Sequence, residues 1–184
     1  MDYMRKRSQG FTLIEMLLVF AVFATFAVVV TFRQDLFRDQ IALDSFAADS
    51  VLLLQTTQAL ASGGSDLSTT ASRGVSAQSG TGLVQFDDST SGTLDAYDTN
   101  DVVRETLELP RTITLYEVCA REISENWECS TTDNLDIVFS RAQVAPVVTF
   151  DGSEYQEARI EYRQVSGSEA IQVVVNQNGV IYVQ

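Results

Sequence analysis

The side chains that could do chemistry in this 184-residue chain are few: a pair of cysteines, Cys119 and Cys129, a crowd of aspartates, and one glutamate, Glu15, set inside an apolar run. There is no histidine. Neither a Ser–His–Asp nor a Cys–His arrangement can be built, and histidine-ligated zinc is excluded. Acid–base work would rest on carboxylates alone, and none stands in a catalytic motif, so no enzymatic activity and no cofactor are expected. Two cysteines cannot complete a four-thiolate metal site, which leaves a disulfide or two free thiols. They are not spaced as Cys-x-x-Cys, so a redox-active pair of that kind is not implied. Asp87, Asp88, Asp95, Asp98 and Asp101 offer the hard oxygen ligands that calcium prefers. The order around Asp95, Asp98 and Asp101 lacks the alternating ligands and central glycine of an EF-hand loop. The stretch therefore reads as a solvated acidic loop.

Glu15 is the anomaly that organises the rest. From Phe11 to Phe32 the chain reads FTLIEMLLVFAVFATFAVVVTF, and about 20 apolar residues suffice to cross a bilayer as a helix. Thr12, Thr25 and Thr31 are tolerable there because a hydroxyl can bond back to the helix backbone. A carboxylate costs about 2.5–3.5 kcal/mol near the membrane centre and is normally paired. The run holds no basic residue to pair with it. Ahead of the run, Arg5, Lys6 and Arg7 cluster in a short polar segment ending at Gly10. That cluster puts the N-terminus in the cytoplasm and the remainder outside. The run is too long for a secretory signal and lacks a small-residue exit. A cut between Gly10 and Phe11 would create an α-amine four residues before Glu15. In an array of staggered helices, that amine would meet a neighbour's carboxylate.

Gly10-Phe11-Thr12-Leu13-Ile14-Glu15 resembles the processing site of type IV pilins and type II secretion pseudopilins. The resemblance implies a basic leader through Arg5 to Arg7 and cleavage after Gly10 by a prepilin peptidase. It also implies methylation of the new N-terminal Phe11 and a role for Glu15 in assembly. The implied product is a single-pass protein of the inner membrane with its C-terminal domain outside the cytoplasm, later packed with other pilin or pseudopilin subunits into a filament. An exported location favours a Cys119–Cys129 disulfide. Closing so short a loop would stabilise the fold by roughly 2–3 kcal/mol.

Five segments follow: a leader over 1–10, a transmembrane helix over 11–32, a continuing amphipathic helix over 33–62, a Ser/Gly-rich loop over 63–82, and a β-rich domain over 83–184. In the second helical segment Leu36, Leu43, Ala47, Val51 and Leu54 share one face, while Ser45, Asp49 and Thr56 point away. Gly63-Gly64 is the stop signal. Expected strands are Leu83–Phe86, Thr93–Tyr97, Val102–Leu109, Thr112–Val118, Leu135–Ser140, Val147–Phe150, Glu157–Gln164, Ala170–Asn176 and Val180–Val183, with a short one conceivable near Val75. Asn178-Gly179 signals a tight hairpin. The fold class is thus α+β, a long N-terminal helix packed on an antiparallel β domain, as in pilins. This order is similar to the H-type minor pseudopilin and its minor pilin counterpart. Many major pilins carry a proline near the Phe32 position, and its absence here leans toward a minor subunit. The alternative function is a tip subunit that captures a surface, a substrate or DNA. A net charge of −13 counts against nucleic acid.

Overall fold

The computed structural model describes residues 12–63, 72–78, 80–88, 96–123, 125–140 and 145–184, without the side chains of 32–36. Gly10, Phe11, Gly64 and Asp95, the start of the expected strand Thr93–Tyr97, and the side chain of Leu36 lie outside these residues. Ala96 and Tyr97 are described and are not in a strand. The chain divides into two compact units, one ending at Arg38 and the other running from Asp39 to Gln184. Among the described residues, helix α1 (Leu13–Gly63) supplies all the regular structure of the first unit and the only helix of the second.

In the first unit, Leu13–Thr31 is long and apolar enough to cross a membrane, with a mean hydropathy of 2.7. Its large side chains are exposed throughout. Thr25 Oγ1 donates to the Val22 carbonyl and Thr31 Oγ1 to the Ala27 carbonyl, both at 2.8 Å. The hydroxyls are thereby satisfied within the helix, as the run requires.

Among the described residues of the second unit, eleven strands form two antiparallel sheets. The first sheet is ordered β3-β2-β1-β6-β7-β8, from β1 (Ser72–Gln78), β2 (Gly82–Asp88), β3 (Val102–Glu108), β6 (Leu135–Ser140), β7 (Val147–Phe150) and β8 (Ser153–Tyr155). The second is ordered β11-β10-β9-β4-β5, from β4 (Ile113–Arg121), β5 (Glu128–Ser130), β9 (Glu157–Gln164), β10 (Ala170–Val175) and β11 (Ile181–Val183). Leu43, Phe46, Ala47, Leu53 and Leu54 of α1 join the inner faces of both sheets in one core. The Phe46 ring meets Tyr162 of β9 edge-on, centroids 5.0 Å apart. Gln85 of β2 donates to Thr57 Oγ1, and Gln58 donates to the Gly179 carbonyl. The helix is therefore fastened to β2, β9 and the last hairpin. That hairpin is a short loop, with Gly179 at φ 73° accepting the turn an L-residue resists.

Two expectations are corrected. The stretch 63–82 is not all loop: β1 lies inside it and forms the middle of the first sheet, paired with β2 and β6. The sheet domain thus begins at Ser72 instead of Leu83. Asp87 and Asp88 are not solvated either. Both are buried in β2, where Asp87 pairs with Arg73 and Arg104, and Asp88 accepts a 2.6 Å hydrogen bond from Ser72 Oγ.

The outer face of the first sheet is also covered. Phe86, Ser76, Val138 and Asp136 are buried there, and Tyr97 lies against Phe86 with centroids 5.2 Å apart. Asp136, 8% exposed, accepts the Tyr97 N–H at 3.2 Å through Oδ2. Asp136 stands opposite Ser76 in the β1–β6 register. Burial raises this carboxyl above the ordinary range, only partly offset by the Ser76 hydroxyl and the Tyr97 N–H, and the charge of Asp101 raises it further. A group with a raised native pKa binds its proton more tightly folded than unfolded. The stability it contributes is present at low pH and is lost as pH rises through the native value. Asp136→Asn is therefore expected to raise the melting temperature by a few degrees at neutral pH. The gain should shrink as the solution is acidified toward ordinary carboxylate pKa values, a trend that thermal melts across a pH series would check.

Candidate functional site

The structure places Glu15 at the third position of α1, next to its beginning. Thr12 precedes the helix and caps it. The Glu15 backbone N–H donates to Thr12 Oγ1 at 3.3 Å. In return Glu15 Oε2 accepts from the Thr12 N–H at 3.0 Å and from its hydroxyl at 3.1 Å. The exchange is a capping box, which satisfies donors that the first turn of any helix leaves without an internal partner. A carboxylate here also lies at the positive end of the helix dipole. The signal was present in the sequence as Thr12-Leu13-Ile14-Glu15, a Ser/Thr-x-x-Glu ahead of an apolar run.

This geometry gives Glu15 a hydrogen-bonding partner within its own chain. Among the described residues only Oε2 is engaged, so the carboxylate keeps a second oxygen for another donor. The side chain is exposed, and no basic side chain pairs with it among the described residues. Gly10 and Phe11 fall outside those residues.

Far along the chain, Cys119 of β4 and Cys129 of β5 stand opposite each other in register and form a disulfide. Cys119 is 0% exposed, whereas Cys129 lies in the open. Arg159 of β9 is the other cross-strand partner of Cys119. Nothing local in the sequence signals that Arg159 would meet the cysteines, because the pairing depends on the register of β4 with β9. Asp98 and Asp101 are tied into a turn: the Asp98 N–H donates to Asp101 Oδ2 at 2.8 Å, and the Asn100 N–H donates to Asp98 Oδ1 at 2.6 Å. Among the described residues they join no converging group of three metal-binding side chains.

Residues 5–31 match the family model of the prokaryotic N-terminal methylation motif. Neither a curated relative nor a solved structure matches the chain.

Proposed function

Because this chain carries the class III prepilin leader of the type IV pilin and pseudopilin family, we propose that it is a minor subunit of a type IV pilus or a type II secretion pseudopilus. The observation that carries this reading is the methylation motif at residues 5–31, overlying a helix whose apolar surface is uncovered. In this reading the peptidase removes residues 1–10 at the cytoplasmic face of the inner membrane and Phe11 is methylated. The subunit waits as a single-pass protein, its β domain outside the cytoplasm, until its helix enters the filament.

The helix of the second unit supports assembly as well. Its sheet-facing side is buried, but Ile41 and Leu52, on the opposite side, are 65% and 59% exposed. Ala48 and Ala59 fall on the same side by helical spacing and are exposed too. An ordinary amphipathic helix would be polar there. An apolar stripe facing away from its own sheets is suited to contact with neighbouring helices.

Mass spectrometry of protein made in cells with the peptidase tests the reading. The expected mature form begins at Phe11, and its N-terminal tryptic peptide carries one methyl group. Recovery of the Met1 form alone would overturn it.

A further inference from the structure

We propose that the Cys119–Cys129 bond undergoes thiol–disulfide exchange with a fixed direction, Cys129 being the sulfur attacked and Cys119 the sulfur released, with Arg159 positioned to receive the released charge. Arg159, Cys119 and Cys129 form one row across β9, β4 and β5. Arg159 Nη2 lies 3.1 Å from Cys119 Sγ and 3.4 Å from Cys129 Sγ. The same nitrogen donates to Glu117 Oε1 at 3.1 Å, and that carboxylate oxygen also lies 3.7 Å from Cys119 Sγ, so the guanidinium serves the carboxylate and the sulfurs together. It is held in place from the other side by Trp127, whose ring lies 5.0 Å from Arg159 Cζ and 4.4 Å from Arg121 Cζ.

Two physical facts set the direction. An attacking thiolate must reach a sulfur, and only Cys129 is exposed. The sulfur that leaves does so as a thiolate, and a thiolate leaves faster when a cation stabilises it. Cys119, buried beside a guanidinium, meets that condition. In the first step a thiolate of a small thiol bonds to Cys129 Sγ. The Sγ–Sγ bond breaks and its electron pair stays on Cys119. In the second step another thiolate attacks the external sulfur of the mixed disulfide and releases Cys129. The two attacking thiols are oxidised to their disulfide, and the cysteine pair takes up the two electrons. Cys129 is thus a site of S-thiolation on the folded protein.

Glutathione is the probe. The full-length protein in detergent is incubated with it, quenched in acid, alkylated and cut with trypsin, which puts Cys119 in peptide 112–121 and Cys129 in peptide 122–141. Glutathione is expected on the Cys129 peptide, in about tenfold or greater excess over the Cys119 peptide. Equal labelling, labelling of Cys119, or no adduct until the protein is denatured would overturn the proposal. Arg159→Gln should slow the first step by about tenfold, and Arg159→Lys by less. Trp127, the only tryptophan, reports the rate by fluorescence. A merely structural Arg159 would give the opposite sign, because a loosened fold exposes the bond and speeds its attack.

Discussion

Glu15→Ala is expected to remove the protein from sheared filaments while leaving it inserted in the membrane, cleaved after Gly10 and folded in its β domain. The carboxylate is costly in lipid, so losing it does not harm insertion and should ease it. The cap it makes with Thr12 belongs to the first helical turn, and its loss costs about 0.5–2 kcal/mol of helix stability there. The core that holds the β domain begins at Leu43 and does not include this turn. What the alanine variant cannot supply is a negative charge for a neighbour's α-amine. The capping geometry sharpens the test. Glu15→Gln keeps an acceptor for the Thr12 N–H and loses only the charge. Thr12→Val removes the hydroxyl of the box and keeps the charge. Charge pairing requires the Gln variant to fail in filament fractions and the Val variant to assemble. If Gln assembles as well as wild type, the pairing account is wrong.

Leu54→Ala should lower stability by about 2–5 kcal/mol, the range for deleting a buried leucine and leaving part of its cavity. Leu54 is 0% exposed and lies where α1 meets the two sheets. For a chain of this size each kcal/mol is worth about 2–4 °C, so the melting temperature of the full chain in detergent should fall by about 4–20 °C. Leu52→Ala is the matching control two residues away. Its side chain is largely exposed, so the melting temperature should barely move, within about 0.5 kcal/mol. Filament incorporation should weaken instead, because the change opens a gap in the outward apolar stripe. A large melting shift for Leu52→Ala, or none for Leu54→Ala, would contradict the assignment of the two faces.

The sequence declared its helix and most of its strands through periodicity, and β6, β7 and β9 end where their patterns end. It offered β1 only as a short strand conceivable near Val75, because Ser72-Arg-Gly-Val-Ser-Ala-Gln has loop composition. A strand in the middle of a sheet that is covered on both faces can be built of small residues: Val75 and Ala77 face the core, while Gly74 makes room for a ring on the other side. A Cβ on Gly74 would come within 2.3 Å of Phe86 Cζ. The three-residue strands β5 and β8 are too short to show a period. Asp87 and Asp88 misled by composition as well, since an acidic pair marks solvent unless a partner is foreseen. Arg73 and Ser72 are placed beside them only by the β1–β2 register. At the N-terminus the spacing of Thr12 and Glu15 carries the cap, although the expectation for Thr12 is only a hydroxyl returned to the helix backbone. The meeting of Arg159 with the cysteines depends on long-range pairing and was not legible.

The fastening of the first helix to late strands sets an order for biosynthesis. Phe46 closes on Tyr162, and the same core takes in Val173 and Ile181 from the last two strands. At synthesis rates of roughly 5–20 residues per second, Phe46 is joined to the chain some 6–23 s before Tyr162 is. During that interval the sticky side of the helix has no sheet to cover it. The β4–β5 ladder, closed by its own disulfide, needs only neighbouring sequence, whereas β1 must wait for β6 and β4 for β9. Such distant pairings make for slow folding. The nascent chain therefore depends on whatever shields Leu43, Phe46 and Leu54 until its C-terminus arrives, and a truncation that removes β10 and β11 would leave that need permanent.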